Sequence, residues 1–374
     1  MNLELTDEQR ALRDTVRRFL AEKASMADHV RPMLTDPTGT TDAVWNGLAA
    51  LGTTALLIPA EFGGEGASML EAGVALEELG AALHPGPWLS SAVAAPRALG
   101  RFGVTNEAAA LYGALADGST IATVALAGER TPTVHRDGAG LTLRGELDRV
   151  SDAAAADVLL VPVGDSERTD LIAVATSSPA VSITPISGID QSRKLFRVCL
   201  DDAPGQVVGV SDGQAVRALV DDLLIAHGCD AVGAAGRVLA MTVDYAKVRH
   251  QFGRPIGSFQ AVAHLCVDMH EIVELARSGV LYALWAADHA DPEDRHRAAL
   301  RVKAFAGHLT GVADRAIQVF GGIGFTWEHD AQLYLKRLLS FSRFMGGPGT
   351  YLQQLGAALA AAHLHQRRSE AHTA

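Results

Sequence analysis

Tyr245-Ala246-Lys247-Val248-Arg249-His250-Gln251-Phe252-Gly253-Arg254-Pro255-Ile256-Gly257-Ser258-Phe259-Gln260 reads as the end of one helix, a tight turn and the start of another. The turn falls at Gly253 and Pro255, residue types that punctuate regular structure. Ser258 is an N-cap candidate for the second helix. On spacing alone the stretch is a helix hairpin with solvated arginines. Ala- and Leu-rich helical patterns surround it over residues 212–366, broken at Asp291-Pro292, Gly321 to Gly324 and Gly346 to Gly349. Four long helices of this kind pack as a bundle. The end, Gln366-Arg367-Arg368-Ser369-Glu370, is expected to fray.

Upstream the pattern changes. Residues 119–210 carry short β-rich runs: Ile121 to Leu126, Val158 to Val163, Leu171 to Val174 and Val181 to Ile183, punctuated by Gly, Asp, Ser and Pro. Strands at this spacing form a small barrel or sandwich. Residues 1 to about 115 are helical again. Thr6 and Gln9 form a capping box, and Leu12, Val16, Phe19 and Leu20 then line one helix face. Trp45 to Leu51 and Ser68 to Leu79 predict further helices, interrupted by Pro59, Gly63, Gly64 and Gly66 and by Pro85 and Pro87. The expected fold class is α+β: an N-terminal helical domain (1–117), a middle β-barrel or sandwich domain (118–210) and a C-terminal four-helix bundle (211–374).

Composition bounds the function. Of 374 residues, 48% are hydrophobic and 20% charged, which is a globular balance. The net charge of -11 repels phosphate backbones and argues against nucleic acid as a partner. Cys199, Cys229 and Cys266 are far apart and show neither zinc nor disulfide spacing, as in a reducing compartment. The first ten residues lack a leader pattern, and no apolar run approaches the ~20 residues of a spanning helix, so the expectation is a soluble cytoplasmic protein without a membrane segment. No HExxH or clustered Asp/His set is present, so no metal is expected, and neither GxSxG nor a Walker loop occurs.

The opening stretch closely resembles the R-x-QFG-x-PI-x-x-FQ signature of the acyl-CoA dehydrogenase family. Gln318-Val319-Phe320-Gly321-Gly322-Ile323-Gly324 resembles that family's Q-x-x-GG-x-G, and Leu333-Tyr334-Leu335-Lys336-Arg337, Leu5 to Arg10 and Ile58 to Gly64 look like further landmarks. The resemblance spans roughly the whole chain and is weakest over 119–210. It implies an FAD enzyme that removes the α-proton of an acyl-CoA thioester with a carboxylate while a hydride leaves the β-carbon, electrons passing to an electron-transfer flavoprotein. It also implies that Arg249, Gln251, Phe252, Gln260, Gln318, Gly321 and Gly322 contact the pyrophosphate and adenosine half of FAD, often across a subunit interface. The oligomer would be a homo- or hetero-oligomer, dimer or tetramer.

The sequence departs from the family where chemistry is done. The usual Glu before the last helix falls on Met345 in an ungapped count from Gln318, or on Pro348 when the Gly349-Thr350 pair is matched. The other family position, on the helix before the arginine motif, falls on Leu223. Asp221 and Asp222 stand beside that position and Asp230 about two turns further on; a shift of one residue makes Asp222 the base, and the plain alternative for Asp221 and Asp222 is a solvated helix turn. Runs that touch the flavin ring in relatives correspond to Leu126-Ala127-Gly128-Glu129 and Arg149-Val150-Ser151-Asp152, so Ala127 and Arg149 replace a threonine and a tryptophan, and Ser151 alone keeps a hydroxyl. Two readings follow. In one the chain is a self-sufficient acyl-CoA dehydrogenase with Asp222 as base. In the other it resembles actinobacterial family members acting on steroid side-chain thioesters as heteromers, in which one chain is a catalytically silent partner subunit that completes the FAD site.

Overall fold

The computed structural model describes residues 4–103, 105–126, 131–137 and 140–373, with side chains described to residue 362. Five helices come first: α1 (Asp7–Lys23), α2 (Asp42–Ala50), α3 (Met69–Ala81), α4 (Ala95–Phe102) and α5 (Asn106–Ala116). The expected capping box starts α1: Thr6 Oγ1 accepts from Gln9 N at 3.2 Å and Gln9 Oε1 accepts from Thr6 N at 3.0 Å. Ser68 and Glu71 repeat it at α3, satisfying backbone donors that a helix start leaves free. Two π-helical stretches, Met26–Val30 and Leu89–Ala94, were not legible in the sequence.

The middle unit contains β1 (Ala122–Val124), β2 (Thr133–Asp137), β3 (Gly140–Ser151), β4 (Val158–Gly164), β5 (Thr169–Ala175), β6 (Val181–Ile186) and β7 (Leu195–Ser211). The sheet order is β1-β4-β5-β7-β3-β2, with β6 also on β7; β1 and β4 are parallel and the other pairs antiparallel. β7 bridges two halves. Its first part pairs with β3 and β6, and Gln206 to Ser211 pair with β5. Leu143, Leu147, Val161, Ile172 and Val198 pack between the halves. The result is a sandwich-like arrangement without barrel closure.

The C-terminal part holds α6 (Gly213–Val248), the short strands β8 (His250–Gln251) and β9 (Arg254–Pro255), α7 (Gln260–His289), α8 (Pro292–Ala304), α9 (Ala306–Phe320), α10 (Ala331–Arg343) and α11 (Pro348–Thr373). α8 and α9 make one span interrupted at Phe305, so four long spans form the bundle and α11 is added to it. The expected frayed end is instead helical to Thr373. Asp291 and Pro292 begin α8 as read, with Asp291 Oδ1 accepting from Glu293 N and Asp294 N, both at 3.0 Å. The N-cap of α7 is Phe259, not Ser258, whose hydroxyl donates to Pro255 O at 2.7 Å. α6 is the core. By length and composition it is apolar enough to cross a membrane, but 72% of its most apolar window is buried inside the fold, as in a core helix of a globular protein. Two glycines let α3 lie directly on it. A Cβ on Gly80 would collide with Asp230 O, and one on Gly233 with Glu77 O.

Candidate functional site

The residues carrying the family resemblance gather in two places. The first is the C-terminal end of α6. The 250–255 hairpin folds back on the helix through Ile256 N, which donates to Arg249 O at 2.8 Å. Tyr245 lies one turn before Arg249, and its ring packs 4.9 Å from that of Phe320, the residue before Gly321. That contact joins the two glycine-containing motifs. Phe252 sits against Phe259 at 6.1 Å, which brings Gln260 alongside. Phe252 and Gly321 both adopt left-handed backbone, with φ of 53° and 66°; at Gly321 and Gly322 an added Cβ would meet open space.

This patch is exposed. Phe252 is 91% accessible, and Arg249, Gln251, Gln260, Gln318, Gly321 and Gly322 are exposed too. Among the described residues, no hydrogen bond or ion pair engages the side chains of Arg249, Gln251, Gln260 or Gln318. A guanidinium fork, three amides and bare glycine backbone suit a group bearing phosphates, hydroxyls and ring nitrogens, such as the pyrophosphate and adenosine half of FAD. Their outward presentation suits a group shared with a neighbouring chain.

The second place is a cavity of about 560 Å³ between the sandwich and the bundle. Ser151 lies here, away from the patch, with its carbonyl accepting from Thr123 Oγ1 at 2.7 Å. Arg149 is at the rim with φ of 56°, and Ala127, Gly128 and Glu129 lie outside the described residues. Of the two positions counted for the base, Met345 lines this cavity and Pro348 does not. Met345 also has a left-handed φ of 53°, and its carbonyl accepts from Tyr351 Oη at 2.7 Å. Leu223, the alternative position, lines the cavity as well.

Asp222 does not lie in that lining. It is 0% exposed and held by two arginines. Arg97 donates to its oxygens at 2.9 and 3.0 Å, Arg101 at 3.0 Å twice, and both guanidiniums also reach Ala287 O. All the directions in which it could accept a proton are occupied by cations, so the geometry assigns Asp222 to tying α4 to α6 and α7 and not to proton transfer. Asp221 is likewise buried and accepts from His296 Nδ1 at 2.8 Å; burial pushes its carboxyl up.

The remaining buried carboxylates on the cavity wall are matched. Arg337 is fully buried, donating to Asp190 Oδ2 at 3.0 Å and to both oxygens of Asp230 at 2.9 and 3.0 Å. Arg193 adds a bond to Asp230 at 2.7 Å. Burial alone would raise the Asp230 carboxyl, but the charges of Arg193 and Arg337 outweigh it and hold it at about 2. Behind the wall, Asp152 accepts from Ser90 Oγ at 2.5 Å, and burial lifts its carboxyl to about 6. Of this network the sequence offered Asp230, near the counted base position, and Arg337, at the end of a family landmark, but not their pairing. The sequence reading passed over His227, which lies one turn beyond Leu223 on the same face of α6.

The comparisons with known proteins agree with this architecture. Models of the acyl-CoA dehydrogenase N-terminal domain and C-terminal domain match residues 6–119 and 222–359. Acyl-CoA dehydrogenase FadE34 of Mycobacterium tuberculosis is 37% identical over 94% of this chain, which spans about half (48%) of that protein's length. Acyl-CoA dehydrogenase IpdE2 of Mycolicibacterium smegmatis is 33% identical over 94% of this chain and 99% of its own. Among solved structures, the ChsE4-ChsE5 complex from Mycobacterium tuberculosis contains a chain 28% identical, with a TM-score of 0.86 over 96% of this chain and 99% of that one. The Tcur3481-Tcur3483 steroid ACAD matches at 28% and a TM-score of 0.87, with the same coverage. The chain belongs to the acyl-CoA dehydrogenase family, a family of oxidoreductases.

Proposed function

We propose that the chain works in an FAD-dependent assembly that desaturates an acyl-CoA thioester between its α and β carbons, and that within it this chain is the subunit without a proton-abstracting carboxylate. One observation carries the reading: among the described residues, the buried wall of the cavity holds no carboxylate free to accept a proton. Asp190 and Asp230 are saturated by Arg337 and Arg193, Asp222 by Arg97 and Arg101, and the two counted base positions that line the cavity, Met345 and Leu223, carry no carboxylate. A general base needs a free lone pair within hydrogen-bond reach of the proton it takes. A related partner chain would then supply it. The relatives named ChsE4-ChsE5 and Tcur3481-Tcur3483 are two-chain complexes, which supports such a pairing.

In this reading FAD, when bound, is the acceptor for the hydride leaving the β-carbon. Arg249 would clamp the pyrophosphate, Gln251, Gln260 and Gln318 would hydrogen-bond the adenosine half, and Gly321 and Gly322 would let the backbone approach. Phe252 would cover the group and Ser151 would offer a hydroxyl at the ring end. The family resemblance supports an electron-transfer flavoprotein as the electron acceptor.

The test is FAD content per chain, measured from flavin absorbance after denaturation, for the chain purified alone and co-purified with a related chain. The expected result is well under one FAD and no turnover alone, with both restored by the partner. About one FAD per chain and dye-coupled oxidation by this chain alone would overturn it in favour of a self-sufficient enzyme.

A further inference from the structure

His227 stands out on the cavity wall. Leu223 precedes it by one turn and Asp230 follows, both lining the same cavity. Its ring packs on Phe344 with centroids 4.0 Å apart, beside Met345. Among the described residues it makes no hydrogen bond, although an imidazole always carries two nitrogens that want partners. Its surroundings are otherwise apolar or internally matched. Leu89, Ala94, Val124, Leu223 and Phe341 supply hydrocarbon, and the cations of the buried wall are consumed by their own carboxylates.

The charge state of His227 follows from that setting. Burial, with Arg193 and Arg337 adding to it, pushes the imidazole down to about 3, so it is neutral at physiological pH. So weakly basic a group is a poor abstractor of a carbon-bound proton. A neutral imidazole does offer one N–H donor and one acceptor in a fixed place. Solvent can occupy them while the cavity is open. A ligand that displaces that solvent with hydrocarbon leaves both nitrogens unpaired, which weakens binding. Among the described residues the buried cations of the wall are matched, and Arg149 and Arg343 line the cavity only at its exposed side.

We propose that His227 sets acyl specificity in this cavity: it meets a neutral oxygen, a ketone or hydroxyl, carried on the acyl part of the thioester, and so disfavours plain hydrocarbon chains. This rests on the acyl-thioester reading above. Phe344 packs on the ring and so positions it, at a place on α6 that lines the cavity.

The experiment is calorimetric binding to the full chain, with any FAD and partner chain it carries. The probes are octanoyl-CoA and oxo-octanoyl-CoA analogues with one ketone along the outer half of the chain. At least one analogue is expected to bind about tenfold more tightly than octanoyl-CoA, the ratio one satisfied hydrogen bond supplies. His227→Phe keeps the stacking and should bring the ratio to about one, chiefly by tightening octanoyl-CoA. His227→Gln keeps a donor and an acceptor and should retain part of the preference, which guards against a folding defect in the first variant. Equal binding of all probes by the unaltered chain, or a preference that survives His227→Phe, overturns the assignment of His227 while leaving the thioester reading intact. No binding of any thioester overturns both.

Discussion

Two regions of α6 handle charge in opposite ways. At mid-helix, Asp230 is sealed with Arg337, Arg193 and Asp190, and all but the half-buried Arg193 are buried. At the C-terminal end, Arg249, Gln251 and Gln318 stand in the open with no protein partner among the described residues. The first set holds loop 187–194, α6 and α10 together. The second is presented to something outside the chain. A saturated charge does structural work, while an unsatisfied polar cluster beside bare glycine backbone marks a binding surface. Asp222 is held in the same way by Arg97 and Arg101, which argues against it as a base despite its place in the sequence.

That contrast can be broken experimentally. The largest effect is expected from Arg337→Met, which strands Asp190 as a buried uncompensated charge, leaves Asp230 with Arg193 alone, and should cost about 3–5 kcal/mol in urea unfolding. A loss under ~1 kcal/mol would show that the network is not holding the three elements. Asp222→Asn comes next. It weakens four charge-assisted bonds and should cost about 2–3 kcal/mol, with turnover of the assembled enzyme falling no more than its folded fraction. A loss of ~100-fold or more in kcat with stability unchanged would instead restore Asp222 as a base. Arg249→Ala should leave unfolding within about 0.5 kcal/mol of the unaltered chain. In titrations of the assembled complex it should weaken FAD binding about tenfold to hundredfold, since one charge-assisted pair is lost.

The smallest effect concerns pH. His29 and His84 are buried with rings 5.8 Å apart, and among the described residues His29 Nε2 and both His84 nitrogens have no hydrogen-bond partner. Burial, reinforced by His29, Arg193 and Arg337, lowers His84 to about 3, and burial lowers His29. Below about 6.5 the unfolded chain therefore takes up protons that the folded chain refuses. Stability is present above that pH and is lost on acidification, by at most ~1.4 kcal/mol per pH unit for each histidine. Asp152 pulls the other way, because its carboxyl, raised to about 6, gains a proton first in the folded state. His84→Leu should remove one histidine's slope. Its melting temperature should rise relative to the unaltered chain between pH 7 and pH 5, and a parallel pair of curves would refute the assignment.

Much of this was legible in the sequence. The helix–β–helix order, the capping box at Thr6, the break at Asp291-Pro292 and four strand positions follow from local patterns that the structure keeps. The long strands β3 and β7 are not legible as apolar runs because they alternate: Leu143, Leu147 and Val150 face inward between polar neighbours. The patch at the end of α6 could be named from motifs because its residues are close in two short segments. The cavity could not. Its wall draws Ser90, Ser151, Asp190, His227 and Arg337 from distant parts of the chain, and only tertiary packing shows that Asp222 points to Arg97 and Arg101 instead.

β7 has a consequence for the order of events during synthesis. It is the one strand that pairs with β3, β5 and β6, and it ends at Ser211, two residues before α6 begins. The β2–β3 and β4–β5 hairpins can form as soon as each leaves the ribosome, but each then waits with an open edge. Closure of the sheet depends on the last strand to be made, and the helix that covers the cavity follows it directly. The middle unit should therefore mature in one late step, with the nascent chain most prone to mispairing just before residue 211 emerges.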